Sequence, residues 1–137
     1  MEKLFDPHMT KNEINAMSAL ALAHIGDGVF ELMVRTRLCL LGGTTNGRLH
    51  KQTVSVVRAA SQAEFADKLQ PLLTEEEMGF YKRGRNTRVH GVPKSVTPVQ
   101  YSKATGLEAL FGALYLLGEK ERLQELFAAL WEDENAL

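Results

Sequence analysis

An all-α fold is what the sequence predicts, and three observations carry that expectation. Residues 14 to 41 are mostly apolar with interspersed polar positions, rich in Leu, Met and Ala, and contain no proline. Serine, threonine and Thr-x-x-Glu patterns stand where helices would start, and glycines where they would stop. Outside one loop no strand-like alternation of apolar and polar residues is found.

Taken in order, residues 14 to 41 read as one long, largely buried helix that Gly42-Gly43 ends. Thr44-Thr45-Asn46 offers cap residues for the next region, in which Leu49, Thr53, Val56, Val57 and Ala60 recur at helical spacing towards Leu69; one helix or two with a bend fit equally. Pro71 breaks the pattern. Thr74-Glu75-Glu76-Glu77 is a capping box that opens a short helix towards Arg83, with Gly84 placed to close it. Residues 84 to 101, with Gly84, Gly91, Pro93 and Pro98, read as the long loop of the protein, of a length that is usually functional or disordered. Ser102 is read as the cap of a helix through Leu117, Gly118 interrupts it, and residues 119 to 135 form a last amphipathic helix facing inward with Leu123, Leu126, Phe127 and Leu130.

With 137 residues, 45% of them apolar, the chain has material for one core, so a single domain over 1–137 is expected. No run of about 18 apolar residues appears and the start MEKLFDPHMTKNE is too polar for a signal peptide, which points to a soluble, cytoplasmic protein with no membrane contact. The single cysteine, Cys39, excludes an internal disulfide or a cysteine metal cluster and is expected to be a buried thiol. The net charge of -1 hides a segregation: five Lys or Arg and no acid lie from Lys82 to Lys94, against six acids and two bases from Glu119 to Glu134. The basic stretch is where a polyanion would bind.

Two acids stand out. Asp27 sits between Gly26 and Gly28 in an otherwise apolar helix, and Glu108 is the only formal charge between Lys103 and Glu119. An ionised carboxylate buried in such surroundings costs several kcal/mol unless a cation or donors offset it. From these residues alone Asp27 is either a structural acid met by a neighbouring helix or a ligand. Gly106, Ala109, Gly112 and Ala113 permit close helix packing that would bring Asp27 and Glu108 together. Two such carboxylates repel, and one must take a proton unless a divalent ion lies between them. An oxygen-only donor set selects Mg²⁺ or Mn²⁺ over zinc.

The run Ile25-Gly26-Asp27-Gly28-Val29 resembles the signature helix of the ribonuclease III family, and Glu108-Ala109-Leu110-Phe111-Gly112-Ala113-Leu114-Tyr115-Leu116 resembles that family's second acidic helix. The resemblance extends over nearly the whole chain to the compact branch called Mini-ribonuclease III, which has the catalytic domain alone, and whose basic segment is similar to Lys82-Arg83-Gly84-Arg85-Asn86. It implies a helical homodimer that cuts double-stranded RNA with Mg²⁺ (or Mn²⁺), leaving a 5′-phosphate and a 3′-hydroxyl, with Asp27 and Glu108 as catalytic metal ligands that activate the attacking water. It also implies a role in maturing the large-subunit (23S) ribosomal RNA precursor, with a ribosomal protein as a candidate assistant. Full-length members carry two further acids, where this chain has Ala23 and Thr105. Glu31 and His24 share the face of Asp27: Glu31 reads first as a structural or surface acid and second as a holder of a ligating water, and His24 as a neighbour that packs or hydrogen-bonds, with substrate contact as its lesser alternative.

Lys82, Arg83, Arg85, Arg88, His90 and Lys94 are the RNA-binding candidates, with His50 and Lys51 as weaker ones. A duplex hides its base edges and is gripped through phosphates and 2′-hydroxyls, a task suited to a basic loop. Two competing readings remain at this stage. One is a catalytically weak duplex-RNA-binding module or ribosome-assembly factor on the same fold, favoured by the missing acids. The other is a helical adaptor that uses the acidic last helix.

Overall fold

The computed structural model describes residues 3–43, 45–88 and 91–131. Among the described residues seven α-helices run in the order α1 (Lys11–Ala16), α2 (Ala19–Leu41), α3 (Asn46–Val57), α4 (Ala59–Leu69), α5 (Glu75–Arg85), α6 (Pro98–Leu117) and α7 (Lys120–Ala129), with a 3₁₀ turn at Gln70–Leu72. No strand occurs among the described residues, in line with the all-α expectation.

The helix starts follow from local chemistry. Thr10 and Glu13 form a capping box on α1, Thr74 and Glu77 on α5, and Thr97 and Gln100 on α6, each satisfying two backbone N–H groups that a helix start leaves free. Pro98 occupies the first turn of α6, where its missing N–H costs nothing. The helix therefore begins at Pro98 under a Thr97 cap rather than at Ser102, and the loop before it is correspondingly shorter. The expected long first helix is two: Met17 and Ser18 take extended backbone, and Ser18 accepts from the Ala21 N–H to start α2. The region from 46 to 69 resolves into two helices meeting at Arg58, whose backbone is extended. Gly84 does not end α5. It lies within that helix against α6, where an added Cβ would stand 2.7 Å from Ala109 Cβ and from Thr105 O. Gly118, with φ of 82°, closes α6. The last part of the expected final helix, from residue 132, and the candidate cap Thr44 lie outside the described residues.

Helix α6 is the central element, with α2, α4 and α5 packed along it. Its inward residues Leu107, Leu110, Phe111 and Leu114 are nearly inaccessible, as are Phe30 and Val34 of α2 and Tyr81 of α5. Around Phe30 the rings interlock edge to face: Phe111 lies 5.4 Å away at 83° and Phe127 6.0 Å away at 68°. Glu77, 5% exposed, is held by Arg122 through a two-pronged ion pair of 2.7 and 2.9 Å. Burial works to raise the Glu77 carboxyl, but the Arg122 guanidinium and the Thr74 N–H outweigh it and hold it below the usual range.

The outer side of α2 departs from expectation. Leu20, Leu32, Leu40 and Leu41 are exposed, and so is Cys39, which the sequence places in the core. The apolar composition of this helix has two sources, a stripe against α6 and apolar residues left exposed. No helix among the described residues is long and apolar enough to cross a membrane.

Candidate metal centre

The two singled-out acids meet because their helices touch backbone to backbone. A Cβ on Gly26 would fall 1.6 Å from the carbonyl oxygen of Glu108, and one on Gly112 would fall 2.0 Å from that of Leu22. Any side chain at either position would force α2 and α6 apart. Gly28 is different, since a Cβ there meets nothing within 4 Å. Of the two glycines flanking Asp27, only Gly26 marks a close approach.

Beside this contact lies a cleft of ≈ 290 Å³ lined by Leu20, Ala23, His24, Asp27, Val57, Ala59, Gln62, Tyr101, Ala104, Thr105 and Glu108. Burial departs from the expectation of two buried acids: Asp27 is exposed at the mouth, and Glu108 is only partly buried, on the α6 side. Asp27 follows the seam residue Gly26 and sits on the open edge of α2, so water reaches it, whereas α3, α4 and α6 close around Glu108. Burial pushes the Glu108 carboxyl up to about 9, helped by a hydrogen bond shared with Asp27 and by the Asp27 charge, while the Gln62 amide pulls weakly the other way. Glu77 and Glu108 are thus two secluded glutamates with opposite fates. Arg122 neutralises the first, and among the described residues no Lys or Arg pairs with the second.

A hard divalent cation fits this environment. The donors are carboxylate oxygens, the pair lacks a counter-charge, and the Oε1 atom of Gln62, also on the cleft, is buried without a hydrogen-bond partner. Among the described residues no group of three or more His, Cys, Asp or Glu gathers anywhere, so a cation here would rely on Asp27, Glu108 and water. Ala23 and Thr105 line the same cleft, which places the two substituted positions beside the two retained acids. The Thr105 hydroxyl is spent on the Tyr101 carbonyl at 2.9 Å. His24 is exposed on the cleft, and Glu31 pairs with Arg35 at 3.3 Å.

Gln62 is the residue that sequence reasoning passed over. It occupies an inward position of α4, four and seven residues before the buried Ala66 and Leu69. A polar amide on an apolar stripe was the available signal.

The basic candidates divide. Lys82 and Arg88 are exposed, as is Lys94 in the loop after α5. Arg85 stacks over Tyr81 at 5.6 Å and donates to Asn86 Oδ1 at 3.2 Å. His90 lies outside the described residues. Arg83 turns inward: its guanidinium donates to the carbonyls of Ile14, at 3.5 Å, and Met17 where α1 breaks from α2. Arg83→Lys should therefore destabilise the fold by roughly 1–3 kcal/mol, because it replaces a planar fork whose two nitrogens reach the two carbonyls separately. Urea denaturation of this variant beside Lys82→Ala, expected to be neutral, checks the distinction.

Comparison with known proteins agrees with this architecture. The family model described as "Ribonuclease III domain" matches residues 20–119. The Mini-ribonuclease 3 of Symbiobacterium thermophilum is 44% identical over 110 residues, covering 80% of this chain and 85% of that protein. The Mini-ribonuclease 3 of Clostridium tetani is 41% identical over 128 residues, covering 92% and 85%. A crystal structure of a Fusobacterium nucleatum protein superposes with a TM-score of 0.79 at 33% identity, covering 89% of this chain and 98% of that one. The matched span takes in the α2–α6 seam and both cleft acids, and on these grounds the chain belongs to the ribonuclease III family, in its Mini-ribonuclease 3 branch.

Proposed function

We propose that this chain is a divalent-metal-dependent endoribonuclease for double-stranded RNA, with Asp27 and Glu108 as its catalytic metal ligands and Mg²⁺ (Mn²⁺ substituting) as the cation. The observation that carries the reading is the meeting of Asp27 and Glu108 in one cleft without a basic partner, on the two helices that match the family. An acid pair of this kind weakens a fold unless it has a task. Glu108 offers a carboxylate from the cleft wall and Asp27 one at its mouth, where a phosphodiester can reach. A bound divalent ion supplies Lewis-acid stabilisation of the charge that builds on the phosphate. Water adds to phosphorus, the bond to O3′ breaks, and the departing oxygen takes a proton, leaving a 5′-phosphate and a 3′-hydroxyl. No side chain of the cleft is needed as a nucleophile.

Lys82, Arg85, Arg88 and Lys94 supply phosphate contacts in this reading, and Arg83 supports them from below. The working form is a homodimer, so that two clefts address opposite strands. What supports it is a bare apolar surface beside the site, where Phe5, Ile25, Gly28, Val29, Leu32 and Met33 line one hollow and Phe5 and Leu32 are exposed. The biological substrate in this proposal is the 23S ribosomal RNA precursor in the cytoplasm, with a ribosomal protein as possible helper.

The test is cleavage of an end-labelled RNA duplex. Cutting with Mg²⁺ or Mn²⁺ and none with EDTA is the expected result, and each of Lys82→Ala and Arg88→Ala should lower the slope of log affinity against log salt by about 1. Ala23 and Thr105, which stand on the cleft where further acids are expected, favour the second reading, a duplex-binding module or ribosome-assembly factor. Tight, salt-sensitive binding with no cutting in either metal would establish that reading instead.

A further inference from the structure

Gln62 is buried to 2% exposure, yet half of its amide is unused. Its Nε2 donates to the Val57 carbonyl at 2.7 Å, capping the end of α3, and the side chain lines the same cleft as Glu108. Oε1 finds no partner among the described residues. Such a buried orphan acceptor destabilises a fold, because its bond to water is lost and not replaced. If closing the corner between α3 and α4 were the only need, the neighbouring Ser61 already does it by donating to the Ser55 carbonyl at 2.7 Å. An unbranched apolar side chain would then fill the space without the orphan.

We propose that Gln62 is a positioning residue of the metal site, which orients the Glu108 carboxylate by anchoring one amide N–H on the Val57 carbonyl and directing the other at Glu108. The amide group is planar, so fixing one N–H on the main chain fixes the direction of the second. The Glu108 carboxylate is thereby referenced to the backbone of α3 rather than to a mobile side chain. Outer-shell partners of this kind typically change metal affinity by about 10–100-fold when removed. The inference rests on the metal-site reading above and concerns its geometry.

Mn²⁺ binding to the RNA-free protein, followed by electron paramagnetic resonance, tests it without recourse to cleavage. Gln62→Met keeps length and volume. It removes the orphan Oε1 and leaves Val57 O unpaired in exchange, so the melting temperature should move little. The expected result is Mn²⁺ affinity at least 10-fold weaker, with Gln62→Asn, one bond too short to serve both partners, falling between. Native-like affinity in Gln62→Met, with binding lost in Asp27→Asn, would overturn the proposal and leave Gln62 as a corner clasp. Native-like affinity in Asp27→Asn as well would show that the metal-site reading itself has failed. Should Gln62→Met not fold, the Asn variant carries the test, and native-like affinity there overturns the proposal.

Discussion

Asp27→Asn and Glu108→Gln should each lower the rate of duplex cleavage by on the order of 10³-fold or more, equivalent to ~4 kcal/mol of lost transition-state stabilisation. Both variants keep the shape of the cleft, so their circular dichroism spectra should match the native chain. The two should differ in stability, and that difference separates a metal site from an ordinary buried acid. Without metal the Glu108 carboxyl titrates at about 9, against an unfolded value near 4.5, so the folded chain holds a proton that the unfolded chain releases. Below about pH 4.5 native and Glu108→Gln should be equally stable. As pH rises from there towards 9 the metal-free native protein should lose stability relative to the variant, by up to about 1.4 kcal/mol per pH unit. Saturating Mg²⁺ should reverse the trend by replacing the proton with a cation. Denaturant titrations at pH 4, 6 and 8, with and without Mg²⁺, decide it: a variant no more stable than native at pH 8 in EDTA would mean that Glu108 is not held protonated.

The second large effect concerns Gly26. Alanine is the better helix former by about 1 kcal/mol, so propensity alone predicts that Gly26→Ala stabilises α2. The seam predicts the reverse. The new Cβ would lie 1.6 Å from a main-chain carbonyl that no rotamer change can move, which puts the cost at or above the upper end of the usual 1–3 kcal/mol for overpacking. Gly26→Ala is expected to destabilise by about 3 kcal/mol and to abolish cleavage by parting Asp27 from Glu108. Gly28→Ala, two residues on, meets nothing within its own chain and should stay within about 1 kcal/mol of native. Paired urea melts should show a large loss for the first variant and a small change for the second.

Much of this fold is written in local chemistry. The capping box of Thr74 and Glu77, the stop at Gly118 and the inward stripe of Leu123, Leu126 and Phe127 each depend on neighbours within a turn or two, and each is legible. The misplacements share one cause, that burial is a tertiary property. Apolar composition around Asp27 and Cys39 does not reveal which residues of α2 face α6 and which are left exposed, so both were expected inside and both are exposed. Pro98 read as a loop breaker because proline ends helices more often than it is seen to begin them, yet Thr97 before it supplies the cap. Asp27 and Glu108 were visible because a lone acid in an apolar helix is a local anomaly. Gln62 and the inward turn of Arg83 were not, since their meaning lies in partners on other helices, Glu108 and Val57 for one and the break between α1 and α2 for the other.

The Gly26–Glu108 and Gly112–Leu22 contacts set the spacing of the two acids by main-chain atoms alone, which makes the cleft a fixed gauge. A gauge of that sort has no means of yielding to different duplexes, so in the proposed reading accommodation falls to the exposed cations Lys82, Arg88 and Lys94, none of which takes part in those contacts. On that proposal cutting and gripping are separable parts of one small chain. Replacing those cations should alter which duplexes are held while leaving the spacing of the two acids untouched.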